Sequence, residues 1–96
     1  MEKQARIIVQ NNIENFGIRL FTNGDSGSYQ MLDISFGSFG ISRRTFSVAP
    51  IDFADIINAI MYSKDISEFL EAVEDTWVAG RLNGMISEII DEVEDL

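Results

Sequence analysis

The spacing of the apolar residues changes once along this chain, at Pro50, and this change limits the fold more than any other feature. Before Pro50, apolar and polar residues alternate with a period of two, which is typical of strands with one buried face. After Pro50, apolar residues recur at every third or fourth position, which is typical of amphipathic helices. A sheet from the first half covered by helices from the second is an α+β fold.

Four strand-like segments precede Pro50. Their alternating apolar residues are Ala5, Ile7 and Val9; Phe16, Ile18 and Leu20; Leu32, Ile34 and Phe36; and Phe46 and Val48. Short polar or glycine-bearing turns separate them, at 11–15, 23–28 and 37–40. Because short turns join antiparallel neighbours, the sequence predicts a four-stranded antiparallel meander whose last strand begins near Ile41.

About three helices are predicted after Pro50, all packed on one face of the sheet. The first carries its apolar stripe from Phe53 to Ile60 and ends near Tyr62. Asp65 and Glu68 resemble a capping box at the start of the second helix. The apolar stripe of that helix is Ile66, Phe69, Leu70, Val73 and Trp77, and we expect this tryptophan in the core.

A separate third helix follows from the direction of the apolar stripes. At about 100° per residue, the stripe that ends at Trp77 and the next one point to nearly opposite sides of a continuous helix. The residues of the later stripe are Leu82, Met85, Ile86, Ile89 and Val93. We therefore predict a turn near Gly80–Gly84. The whole chain, 1–96, is predicted to be one domain with a sheet half, 1–49, and a helical half, 50–96.

The net charge of −9 is concentrated in the helical half. Residues 1–50 sum to +1, whereas residues 51–96 hold twelve acids against Lys64 and Arg81 and sum to −10. The acids predicted to form a partner-binding surface are Glu68, Glu71, Glu74, Asp75, Glu88, Asp91, Glu92 and Asp95. Acids three or four positions apart on a helix lie about 5–6 Å from each other and repel.

Two interpretations of these acids stay open. They form either a solvated face that keeps a small protein soluble or a negative patch offered to a basic partner surface. Reversal of Glu88, Asp91, Glu92 and Asp95 to lysine is the direct way to separate the two.

The residue types limit the available chemistry. The chain has no histidine and no cysteine, which excludes serine–histidine and cysteine–histidine catalysis, disulfides and zinc–thiolate sites within it. The glycine-rich turns match neither phosphate-binding pattern, and the loop at Asp25 lacks the carboxylate ladder of an EF-hand. Asp33 is expected to face solvent. We therefore expect a protein that is not an enzyme and has no cofactor or metal.

The layout resembles small phage-encoded inhibitors of host defence, anti-CRISPR proteins among them. The residues that carry this likeness are Glu68, Glu71, Glu74 and Asp75 and the run from Glu88 to Asp95. Several such inhibitors display carboxylates to a surface that normally receives nucleic-acid phosphate. The resemblance implies an inhibitor that occupies the basic, nucleic-acid-binding channel of a partner protein or complex, in the host cytoplasm.

A second resemblance covers Tyr29 to Met61. Strands followed by Gly40-Ile41-Ser42 and a helix are similar to the ββββα unit of transcriptional-coactivator-type single-strand DNA binders, which read DNA with a basic sheet face. Here Arg19, Arg43 and Arg44 are the evident sheet cations. The aromatic residues near them are Tyr29, Phe36, Phe39 and Phe46. The net charge opposes phosphate, so the leading hypothesis does not include direct nucleic-acid binding.

The remaining expectations concern location and assembly. No apolar run approaches the length of about 18 residues that a membrane-spanning helix needs. We therefore expect no contact with a membrane and a cytoplasmic location. Either a monomer or a homodimer is expected. A third hypothesis is a structural or assembly subunit that dimerises through an apolar helix face.

Overall fold

The first half of the chain forms one four-stranded sheet in the computed structural model, which describes residues 6–22, 30–37 and 41–94. Its strands are β1 (Arg6–Ile13), β2 (Phe16–Thr22), β3 (Gln30–Phe36) and β4 (Ile41–Val48). They lie in the order β1-β2-β3-β4, and every neighbouring pair is antiparallel. The predicted α+β fold, a meander followed by helices, is therefore confirmed.

Three α-helices follow the sheet: α1 (Phe53–Tyr62), α2 (Ile66–Ala72) and α3 (Ala79–Glu94). A 3₁₀ turn, Pro50–Asp52, leads directly into α1, with proline in the first turn, where no N–H is needed. Asp65 is the N-cap of α2, as predicted, but the Glu68 carboxylate accepts from the residue before the cap and not from Asp65 itself. The Glu68 N–H donates to Asp65 Oδ1 at 2.8 Å, and the Lys64 N–H donates to Glu68 Oε1 at 2.9 Å.

The core lies between the helices and one face of the sheet. Helix α1 packs on β1 and β2, α3 packs on β4 and β3, and α2 contacts both of these helices. The buried apolar residues on the sheet side include Ile18, Leu20, Leu32, Ile34 and Phe46, and those on the helix side include Ile56, Ile60, Phe69, Leu82 and Ile89. The structure places no helix against the other sheet face in the part of the chain it describes.

The break between the second and third helices lies earlier than predicted. Helix α2 ends at Ala72, a turn spans residues 73–78, and α3 continues through Gly80 and Gly84. Besides local backbone hydrogen bonds, two hydrogen bonds that involve side chains hold the turn. The Thr76 hydroxyl donates to the Val73 carbonyl at 2.6 Å, and the Trp77 N–H donates to Asp52 Oδ2 at 3.0 Å. A carboxylate from a distant segment thus contributes to the break, whereas Gly80 and Gly84 lie within α3.

Trp77 is not a core residue, so that expectation is wrong. It lies in the turn after α2, and 82% of its surface is exposed. Because the helix ends five residues earlier, the helical spacing that predicted its burial does not apply to it. Val78, the next residue, is buried in its place.

The predicted alternation of β1 is interrupted. The register with β2 shifts between Ile7 and Val9, so Val9 pairs with Leu20 on the helix side while Ile7 pairs with Phe21 on the open side. Ile7 and Ile8 are consequently exposed. The predicted turn at 23–28 lies outside the described residues. Among the helices that the structure describes, none is long and apolar enough to cross a membrane.

Candidate partner-binding surface

The acids of α2 differ in their roles. The Glu68 carboxylate already accepts a backbone hydrogen bond, from the Lys64 N–H before the helix. Glu71 lies on the same helix and is exposed. Glu74 and Asp75 are also exposed, but they lie in the turn that follows the helix and not on its surface, where the sequence places Asp75. The acidic character therefore continues past the end of α2 into the turn.

The acids of α3 also divide into two kinds. Glu88 and Asp91 are exposed and have no ion pair with any residue that the structure describes. Glu92 reaches the sheet, where Arg44 Nη2 lies 2.7 Å from its Oε1. Hydrogen bonds from the side chains of Ser42 and Arg44, together with the nearby Arg44 charge, lower the pKa of Glu92. Asp95 lies outside the described residues.

Five of the predicted acids are thus exposed, and their carboxylates have neither an ion pair nor a hydrogen bond in the described structure. They are Glu71, Glu74, Asp75, Glu88 and Asp91, and we term them the unpaired acids. They lie on α2, on the turn after it and on α3, all in the helical layer. Glu94, a further exposed acid on α3, is not among the acids predicted from the sequence, although it lies three positions after Asp91.

Asp33 does not face solvent, contrary to expectation. It lies on the open sheet face, yet its side chain is fully buried, because three neighbours on adjacent strands close over it. Arg19 Nε and Arg43 Nε each lie 2.8 Å from Asp33 Oδ2, and the Thr45 hydroxyl lies 3.3 Å from Oδ1. Such shared, charge-assisted hydrogen bonds are what a buried carboxylate requires.

The three arginines predicted as sheet cations are therefore engaged within the molecule. Arg19 and Arg43 pair with Asp33, and Arg44 lies on the helix side of the sheet, paired with Glu92. Of the aromatic residues predicted near them, Phe46 is buried in the core and Phe36 packs edge-on against Phe16. Tyr29 and Phe39 lie outside the described residues. The described members of this set do not form one basic, aromatic face.

The unpaired acids are spread out and do not converge on one point. Among the described residues, no three carboxylates lie close enough together to hold a metal ion. Each exposed carboxylate can instead accept hydrogen bonds from a separate cation on a facing surface. The arrangement is thus suited to a broad electrostatic contact.

Comparisons of the chain with protein-family models, with curated proteins and with solved structures gave no match. The function is accordingly inferred from the residues and their geometry.

Proposed function

We propose that this protein is a non-enzymatic binding protein that engages the basic, nucleic-acid-binding surface of a partner protein through its unpaired acids. The observation that carries the proposal is the distribution of ion pairs. Three arginines of the sheet half pair with Asp33 or Glu92, whereas Glu71, Asp91 and the other unpaired acids have no cation in the described structure. The helical layer therefore presents uncompensated negative charge.

The unpaired acids do not stabilise the fold by any contact that the structure describes. Glu88 and Asp91, three positions apart on α3, repel each other by a few tenths of a kcal/mol. Asp91 also lies near the C-terminal end of α3, where the helix dipole disfavours negative charge. A layout with this cost is consistent with selection for a partner, as in the anti-CRISPR proteins that the chain resembles.

Charge density defines what these acids can contribute to binding. Helix α3, at 16 residues, is about 24 Å long, and duplex DNA of that length carries about 14 phosphate charges. The described part of α3 bears Glu88, Asp91, Glu92 and Glu94 against Arg81. Its charge density is several-fold lower than that of DNA. The acids would therefore speed and orient association, and apolar contacts must complete the affinity.

The experiment is a capture from nuclease-treated bacterial lysate with the wild-type chain and with a variant in which all five unpaired acids are neutralised. The substitutions are Glu71→Gln, Glu74→Gln, Asp75→Asn, Glu88→Gln and Asp91→Asn. We expect the wild type to retain a nucleic-acid-handling protein that the variant does not retain and that added duplex DNA displaces. An identical set of captured proteins for both chains would contradict the proposal.

Two single substitutions with the same change of charge make the test specific. Asp91→Asn removes an unpaired acid, and Asp55→Asn removes an exposed acid of α1 outside that set. We expect Asp91→Asn to weaken binding of the captured protein more than Asp55→Asn does. Equal weakening would mean that net charge alone governs the association.

The alternative is single-stranded nucleic-acid binding by the open sheet face. It is favoured by the absence of a helix on that face among the described elements and by the position of Arg19, 5.7 Å from the Phe21 ring centre. The Asp33 carboxylate between Arg19 and Arg43 opposes phosphate there. If a parallel capture from untreated lysate retains nucleic acid, and nuclease treatment removes it, this alternative replaces the first.

A further inference from the structure

An open pocket of about 360 Å³ lies where the end of β4 meets the start of α3. Its lining residues are Ser47, Ala49, Trp77, Val78 and Arg81. None of them belongs to the unpaired acids. The inference drawn from this pocket does not rest on the proposed function, although Glu74 and Asp75 lie in the same turn as Trp77.

Trp77 gives this pocket its apolar character. The fold holds its backbone in place, because its N–H donates to the buried Asp52 carboxylate and the following Val78 is in the core. Its side chain nevertheless remains 82% exposed. Ile51, next to Asp52 in the chain, is 81% exposed. Tryptophan is prominent among the residues that dominate binding energy at interfaces.

Arg81 gives the pocket an available positive charge. Its guanidinium lies 5.9 Å from the centre of the Phe46 ring, which favours a cation over its face. In contrast to Arg19, Arg43 and Arg44, it has no ion pair with any residue that the structure describes. The pocket thus combines an indole ring, small apolar walls and an uncompensated arginine.

We infer that this pocket docks a segment of another protein in which an aromatic or aliphatic side chain stands next to an aspartate or glutamate. The apolar side chain would pack against Trp77 and Ala49, and the carboxylate would pair with the Arg81 guanidinium, which matches carboxylate geometry. A second copy of this chain is disfavoured as the occupant, because two chains of net charge −9 repel each other.

Trp77 is the only tryptophan, so its fluorescence reports on this pocket alone. The probe is a capped tetrapeptide with adjacent aspartate and phenylalanine, compared with the same peptide carrying asparagine. We expect the aspartate peptide to shift the Trp77 emission saturably and to bind about tenfold more tightly, as one charge-assisted hydrogen bond provides. NMR shifts of the Ala49 and Val78 amides should change over the same titration.

Matched variants separate the pocket from the overall charge. Arg81→Gln should remove the preference for the aspartate peptide, whereas Lys64→Gln, which removes the other cation of the helical half, should leave it intact. Equal binding of both peptides, no binding of either, or equal effects of the two variants would overturn the inference. Sedimentation showing a dimer in which Trp77 is shielded would also overturn it, because a second copy would then fill the pocket.

Discussion

Two acids, Asp33 of the sheet and Asp91 of the helical layer, have opposite environments. Asp33, in the sheet, is fully buried and accepts hydrogen bonds from two arginines and a threonine. Asp91, in the helical layer, is exposed and has no described ion pair. The same side chain is part of the fold in one layer and is available to a partner in the other. Net charge alone therefore says little about which acids are functional.

The strongest test of this contrast is Asp33→Asn, which removes the charge but keeps the shape. We expect it to lower the free energy of unfolding by about 2–4 kcal/mol, because breaking a buried ion pair costs ~3–5 kcal/mol and the half-exposed Arg43 can still reach water. Urea denaturation measures the change. Asp91→Asn is the control and should stay within about 0.5 kcal/mol, as surface substitutions do. Equal changes in unfolding free energy for Asp33→Asn and Asp91→Asn would contradict the contrast between the two acids.

Asp52→Ala extends the comparison to an acid of the helical half that is buried. Asp52 is 5% exposed and accepts the Trp77 N–H, so its removal leaves that donor without its partner. We expect a loss of about 1–3 kcal/mol in unfolding free energy and a changed Trp77 emission spectrum. Asp55→Ala, at an exposed position of α1, serves as the control. Unchanged stability and emission would show that Asp52 does not hold the turn.

Glu88→Lys should separate stability from binding. Because it replaces a repulsive i,i+3 contact with Asp91 by an attractive one, we expect the unfolding free energy to rise by a few tenths of a kcal/mol. Binding of the captured partner should weaken. Thermal denaturation and a binding titration on the same preparation give both values. A variant that loses stability would show that Glu88 has a structural role.

The smallest effect concerns Glu92, whose pKa is lowered by Ser42 and Arg44. A carboxyl group with a lowered pKa in the folded state stabilises the protein above its ordinary pKa of 4.5, and this contribution disappears as the pH falls through the lowered value. We expect Arg44→Gln to raise the pKa of Glu92, as followed by NMR titration of its side-chain carboxyl. An unchanged pKa would mean that the pair is not formed in solution.

The parts of the fold that could be predicted depend on local spacing. Strands β2, β3 and β4 and helix α1 follow their apolar periods, and the Asp65–Glu68 cap is a local motif. The errors come from long-range contacts. Asp33 is buried by residues on neighbouring strands, and Asp52, 25 positions before Trp77, contributes to the turn that exposes it. The shift at Ile7 also depends on pairing with β2. In each case the contacting residue lies outside the sequence segment from which the prediction was made.

The same limit applies to the candidate surface. The sequence shows which helix face each acid occupies. It does not show that Glu92 forms an ion pair with Arg44 while Asp91, one residue earlier, forms none in the described structure. Helical spacing shows which face a residue occupies, and not which strand lies opposite it. Only the packing of α3 on β4 separates the two.

The most direct test of the central claim asks whether this protein and DNA exclude each other on the captured partner. The measurement is a competition titration in which duplex DNA is added to the purified complex at about 50 mM salt, where electrostatic contacts are strong. We predict that DNA displaces the protein from its partner. The five-acid variant should compete less effectively than the wild type against DNA for that partner. A stable ternary complex of protein, partner and DNA would contradict the claim that the unpaired acids occupy a nucleic-acid-binding surface.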